Sequence, residues 1–169
     1  GFIISITAIG EVAPDKYVKR STAQKGDLLC VSGFLGAAYV GLLFMEREKK
    51  IFVENPGVQP DLEGESFEIL HICKQSNLGC VLYEEKIPIA EEMKTAAYKF
   101  EIDPTACALS GGEDYELLFT VSQSDYDKLV LNEQISVVGY MTEPEQGANI
   151  ITKGGSKYPI TAQGWNHLK

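Results

Sequence analysis

The chain has 169 residues, of which 44% are hydrophobic and 23% charged, and a formal net charge of −9. This is the composition of a globular domain with a substantial core. An acidic chain without a local basic patch argues against a nucleic-acid partner, and no apolar run approaches the roughly 20 residues that span a bilayer.

Gly1 to Val12 is a β-branched run with no turn signal before Gly10. A domain rarely opens on a bare apolar strand, because its edges would be unpaired. We therefore expect this strand to belong to a sheet whose other strands lie outside the sequence. Ala13 to Lys25 is polar, contains Lys19-Arg20-Ser21, and reads as a linker. Gly26-Asp27 turns into a strand at Leu28–Ser32, and Gly33-Phe34-Leu35-Gly36 leads to a helix from about Ala37 to Arg47. A strand, Gly-x-x-Gly and a helix start also make phosphate cradles. Neither the Gly-Lys-Ser/Thr of a P-loop nor a full G-x-G-x-x-G is present, so close strand-to-helix packing is the stronger reading.

Ile51 to Gly64 reads as irregular, broken by Pro56, Gly57 and Pro60. Glu68 to Leu78 is an amphipathic helix with its stop at Gly79, and Cys80–Tyr83 is a strand. Pro88 opens a helix from about Ile89 to Phe100, with Met93, Ala96, Ala97 and Phe100 facing inward. Asp103-Pro104 caps a short helical turn. Ser122–Asp125 resembles a capping box that starts a helix through about Leu131. Ile135–Met141 and Ala148–Thr152 read as strands, and Gly154-Gly155 turns into Lys157–Ile160 as a hairpin at a sheet edge. The order predicts an α/β or α+β sandwich, a mixed, largely antiparallel sheet packed against helices.

Cys30, Cys73, Cys80 and Cys107 have apolar neighbours and form no C-x-x-C pair, which predicts reduced, buried thiols in a reducing cytosol and no metal cluster. His71 and His167 stand at no spacing that would make either a ligand or a base for these thiols, and His71 reads as packing or surface.

The most informative stretch is Ser110-Gly111-Gly112-Glu113-Asp114-Tyr115-Glu116-Leu117-Leu118-Phe119-Thr120. Its glycine pair permits a sharp turn or a close approach to a ligand. Glu113 and Asp114 follow at the mouth of a strand, where loops commonly carry function. From Tyr115 the residues alternate, with Glu116 outward and Leu117-Leu118-Phe119 as buried strand. On its own a Gly-Gly-Glu-Asp string is more often the mark of a solvated surface turn.

The string Ala108–Phe119 resembles the signature of thiamine-monophosphate kinase, in the superfamily of aminoimidazole ribonucleotide synthetase and selenophosphate synthetase. Arg20-Ser21-Thr22-Ala23-Gln24-Lys25-Gly26-Asp27 matches a second family pattern, and Gly164-Trp165-Asn166-His167-Leu168 a third, with Asn166 and Leu168 as departures. The family usually carries Asp-Ser where Ala37-Ala38 stands here. The metal- and nucleotide-binding Asp-x-Ser-Asp-Gly segment expected before Glu68 is not found. The resemblance implies ATP-dependent, direct in-line phosphorylation of thiamine monophosphate to thiamine diphosphate by a cytoplasmic homodimer that uses Mg²⁺. It implies a C-terminal domain at 22–169, preceded at 1–21 by the last strand of an N-terminal ATP-binding domain and a linker, with an excised loop near 67/68.

Carried over residue by residue, the resemblance puts Glu113 and Trp165 on the substrate and Arg20 on ATP, while Asp114 reads first as shaping the turn and stands as the reserve substrate-binding residue. It assigns no catalytic side chain and no metal ligand within this sequence, so the piece alone is expected to be inactive. The alternatives are a sister ATP-dependent synthetase of the same superfamily, or a non-catalytic fragment acting as a partner-binding domain through its bare apolar strand.

Overall fold

In the computed structural model, which describes residues 7, 9–52, 68–110 and 114–160, the chain runs through β1 (Leu28–Ser32), α1 (Ala37–Phe52), α2 (Glu68–Ser76) and β2 (Gly79–Tyr83). It continues with α3 (Glu91–Lys99), α4 (Pro104–Ser110), β3 (Leu118–Val121), α5 (Tyr126–Val130), β4 (Ile135–Thr142), β5 (Ala148–Ile151) and β6 (Lys157–Pro159). The strands make one six-stranded sheet in the order β3-β1-β4-β2-β5-β6. Only β2 and β5 pair in parallel, and every other pairing is antiparallel. The mixed, largely antiparallel sandwich expected from the sequence is the observed fold.

One face of the sheet carries the core. Leu29 and Val31 of β1, Cys80 and Leu82 of β2, and Val138 and Met141 of β4 pack against Ile69, Ile72 and Cys73 of α2. Alternation puts these strand residues on a common side. The register between β1 and β4 slips between Leu29 and Cys30, a bulge that brings Val138 into the same core as Met141. A second cluster joins the helices through Val40 of α1, Met93 and Ala97 of α3, and Cys107 of α4. All four cysteines are buried.

Two helices end by the same device. In α2 the N–H of Asn77, at φ 52, donates to Lys74 O and the N–H of Leu78 donates to Cys73 O. In α3 Glu101, at φ 58, donates to Tyr98 O and Ile102 donates to Ala97 O. Both are Schellman motifs with a left-handed residue after the cap, and each places an apolar residue back on its helix. The stop expected at Gly79 therefore falls earlier, at Asn77. Gly79 instead begins β2, where a Cβ would come within 2.6 Å of Gly147 O and of Thr142 Oγ1.

Other departures are local. The helix read as ending near Arg47 runs on to Phe52. The third helix begins at Glu91, two residues later than read. No capping box forms at Ser122: its side chain makes no cap bond, a 3-10 turn fills Gln123–Asp125, and α5 follows. Ser122 Oγ meets Ser124 Oγ instead, at 3.0 Å. Leu117 lies outside β3 and is 70% exposed, while β3 itself is half-buried because it has a neighbour on one side only. Of the strand expected over residues 1–12, residues 7 and 9–12 carry no strand, and the rest lies outside the described residues, as does the expected break near 67/68.

Candidate functional site

The site is built where β1 ends. Ser32 and Gly33 close the strand, Phe34-Leu35-Gly36 cross to α1, and the segment that follows residue 113 runs alongside. One backbone bond joins the two stretches, Ser32 N–H donating to Leu117 O at 3.0 Å, and two more tie the loop to other parts of the chain, Gly33 N–H to Gln134 O at 2.8 Å and Leu35 N–H to Pro88 O at 2.9 Å.

Two carboxylates of the central motif reach this corner. Asp114 Oδ2 accepts the N–H of Gly36 at 2.6 Å, and Asp114 Oδ1 accepts the N–H of Ala38 at 2.8 Å. These donors belong to the first turn of α1, whose amides have no partner within the helix, so Asp114 caps the helix from a distant part of the chain. Glu116 accepts the hydroxyl of Ser32 in a short bond, and Ser32 Oγ in turn accepts Leu117 N–H at 2.9 Å. The outward Glu116 of the sequence reading is corrected: strand alternation starts only at Leu118, and Glu116 turns toward β1. Tyr115, between the two acids, has φ 58 and is 90% exposed.

The glycines of Gly-x-x-Gly serve this packing. A Cβ on Gly33, at φ 54, would overlap the Glu116 carboxylate, and a Cβ on Gly36, at φ 90, would press on the backbone of Ala108 at 3.1 Å. The amides that a phosphate cradle would offer at the start of α1 are turned toward a protein carboxylate. The close-packing reading of this loop matches the geometry.

The sequence candidates are not all gathered here. Glu113 and Trp165 lie outside the described residues. Arg20 is exposed, and its carbonyl accepts Ser76 Oγ at 2.9 Å, which holds it beside the end of α2. Gly26 N–H donates to Met141 O at 3.0 Å, so this segment adjoins the start of β1, whereas Asp114 adjoins its end. The structure does not bring Arg20 and Asp114 together. His71 is exposed on α2.

Ser32 and Glu116 were missed as a pair. The i, i+2 spacing of Asp114 and Glu116 gave no signal for it, because Tyr115 at φ 58 interrupts the extended backbone in which that spacing would put both acids on one side. Among the described residues no group of three or more His, Cys, Asp or Glu side chains could hold a metal ion. No described helix is long and apolar enough to cross a membrane.

No family model matches the chain. A thiamine-monophosphate kinase of Pyrococcus abyssi is 30% identical over 171 residues, which cover 88% of this chain and 52% of that protein. AaThiL complexed with AMPPCP and TMP superposes with a TM-score of 0.65 at 23% identity, over 89% of this chain and 54% of that one. The hydrogenase maturation protein HypE superposes with a TM-score of 0.67 at 17% identity, over 95% and 59%. At these identities the solved structures establish the fold. The chain spans about half the length of the curated relatives it matches. Over most of its length the chain is homologous to the thiamine-monophosphate kinases, and its fold is shared with AaThiL and HypE.

Proposed function

We propose that this chain is the C-terminal domain of an ATP-dependent thiamine-monophosphate kinase, with residues 22–169 forming the domain and 1–21 leading in from an N-terminal ATP-binding domain. The observation that carries the reading is the homology to thiamine-monophosphate kinases over most of the chain, which contains the motif Ser110–Phe119, two of whose three acids, Asp114 and Glu116, are anchored at the end of β1. The AaThiL complex with an ATP analogue and TMP supports the same pair of ligands for a protein of this fold.

In this reading Glu113 accepts a hydrogen bond from thiamine monophosphate, Trp165 offers a π face to its cationic ring, and Asp114 belongs to the same substrate side. Arg20 reaches ATP, where a guanidinium can donate to phosphate oxygens in a fork. Transfer is in-line from ATP, so catalysis rests on positioning and charge neutralisation rather than on a protein nucleophile. Mg²⁺ supplies the neutralisation, and its ligands belong to parts of the full-length protein outside this chain. The full-length protein acts as a cytoplasmic homodimer paired through its N-terminal domain. The sister-enzyme reading keeps a place because HypE, also solved with ATP, has the same fold.

The test is a titration of thiamine monophosphate into the full-length protein with Mg²⁺ and a non-hydrolysable ATP analogue, followed by Trp165 fluorescence and repeated with Glu113→Ala. The expected result is saturable binding weakened by the mutation by at least the ~1 kcal/mol of one hydrogen bond. Absence of any thiamine-dependent signal, checked by calorimetry, would overturn the reading in favour of a sister enzyme.

A further inference from the structure

Two of the four buried cysteines share one part of the core. Cys73 lies on the inward face of α2, one turn after Ile69, and Cys80 follows in β2, on the face of the sheet that carries Leu82. The Schellman end of α2 reverses the chain between them, with Leu78 N–H donating to Cys73 O at 2.9 Å and Asn77 at φ 52. Cys80 is fixed from the other side, its N–H donating to Gly147 O at 3.1 Å. The two side chains meet in this fold-back, where the thiol of Cys80 donates to the sulfur of Cys73.

The pair is unequal. The hydrogen bond from Cys80 favours the thiolate at Cys73 and holds its pKa below the ordinary thiol value, against the opposing effect of burial. The same bond, together with burial, holds the Cys80 thiol far above that value. Cys73 keeps 7% of its surface exposed and Cys80 none. The thiolate is the form that attacks an oxidant, so Cys73 is the nucleophile and Cys80 the neighbour that resolves it. The other two cysteines are placed differently. Cys30 faces the opposite side of β1 from Leu29 and Val31, Cys107 belongs to the helical cluster, and burial raises both thiols.

We propose that Cys73 and Cys80 form a peroxide-sensitive dithiol that closes reversibly to an intrachain disulfide between α2 and β2. The Cys73 thiolate attacks one oxygen of a hydroperoxide. An S–O bond forms, the O–O bond breaks, and the departing oxygen takes up the proton that Cys73 gave to solvent, leaving as water or an alcohol. Cys80 then attacks the sulfur of the Cys73 sulfenic acid. The S–S bond forms, the S–O bond breaks, and the hydroxide leaves as water with the proton of Cys80. The two thiols together lose two electrons and the peroxide gains them. A thiol reductant reopens the bond by exchange through a mixed disulfide. The site stands apart from the substrate reading above and does not depend on it.

Lys74 stands between the two cysteines, so trypsin separates them and peptide mapping reads the bond directly. The folded full-length protein is treated with hydrogen peroxide, its remaining thiols are alkylated under denaturing conditions, and the digest is compared with and without reductant. The peptide ending at Lys74 is expected to stay joined to the one beginning at Gln75 until reductant is added, while Cys30 and Cys107 are recovered alkylated. Cys73→Ser should slow the peroxide-dependent loss of thiols about tenfold or more. Cys80→Ala should halt the reaction at a Cys73 sulfenic acid, which a cyclic 1,3-dione traps. Recovery of all four cysteines alkylated would overturn the proposal, as would Cys73 oxidised to the sulfinic acid beside a free Cys80. The map of the unsubstituted protein decides the matter by itself should either variant not fold.

Discussion

Asp114 and Gly36 stand 78 positions apart in the chain, yet the carboxylate of the first accepts the N–H of the second at 2.6 Å. With Ala38 as the other donor, one side chain satisfies two amides of a helix start that no local residue caps. Replacing Asp114 by Ala should cost about 1–3 kcal/mol, as two partly buried donors lose their acceptor. Asp114→Asn keeps one acceptor oxygen and should cost about half as much. Urea unfolding of both variants checks the ordering, and equal losses would show that the charge rather than the acceptor geometry matters.

Two glycines predict opposite outcomes for the same substitution. Gly41 lies inside α1 with nothing within 4 Å of a built Cβ, so Gly41→Ala should stabilise by about 0.5–1 kcal/mol by restricting the unfolded chain. At Gly139, in β4, a Cβ would overlap the carbonyl of Val81. Gly139→Ala should therefore cost about 4 kcal/mol or more, through forced movement of a central strand. Thermal unfolding of the two variants side by side tests the claim, with shifts of opposite sign expected.

The left-handed helix end at Glu101 gives a third. A side chain at φ 58 is strained, and Glu101 is exposed with no burial to offset it. Glu101→Gly should raise stability by about 1 kcal/mol. A fall in the urea midpoint would show that the glutamate side chain contributes more than the strain it imposes.

Much of this was legible in the sequence, and the exceptions share a cause. Strands such as Leu28–Ser32, buried at Leu29, Cys30 and Val31 alike, declare themselves as short apolar runs after a turn signal, and helices such as Glu91–Lys99 by the period 3.6 of their apolar positions. Helix ends at Asn77 and Glu101 do not, because a tertiary contact, Leu78 or Ile102 returning to the core, decides where the chain turns. The glycine expected to end α2 was needed elsewhere, for the close approach of Gly147. At the candidate site the importance of Glu113-Asp114-Tyr115-Glu116 was visible as a string. The roles of Asp114 and Glu116 were not, because their partners, Gly36, Ala38 and Ser32, are set by how β1 and α1 meet the chain after residue 113. Propensity carries no information about such pairings.

A pH prediction follows from the core. Burial pushes the Cys30 thiol from its ordinary 9.0 up to about 11, and Cys30 is fully buried. The unfolded chain ionises this thiol first, so its contribution is complete below about pH 9 and is lost as pH rises toward 11. The full difference is worth up to about 3 kcal/mol. Cys107 adds to the same alkaline loss, its thiol raised by burial and then by Asp103. Cys30→Ala should lower stability at neutral pH yet flatten the decline between about pH 9 and 11. Urea midpoints across that range test it, and an unchanged slope would show that other groups dominate.

The position of β1 has a consequence for how the chain is made. Its partners on both sides, β3 and β4, come from residues 118–121 and 135–142. While synthesis proceeds, Leu29, Cys30 and Val31 have no strand to join until most of the chain has left the ribosome. Loops of that length close slowly, and an unpaired apolar strand is a template for association with other chains. The helices can form early, but the sheet is completed from its end backward. Because β4 lies between β1 and β2 and joins them, its arrival is the step at which the sheet is expected to become continuous.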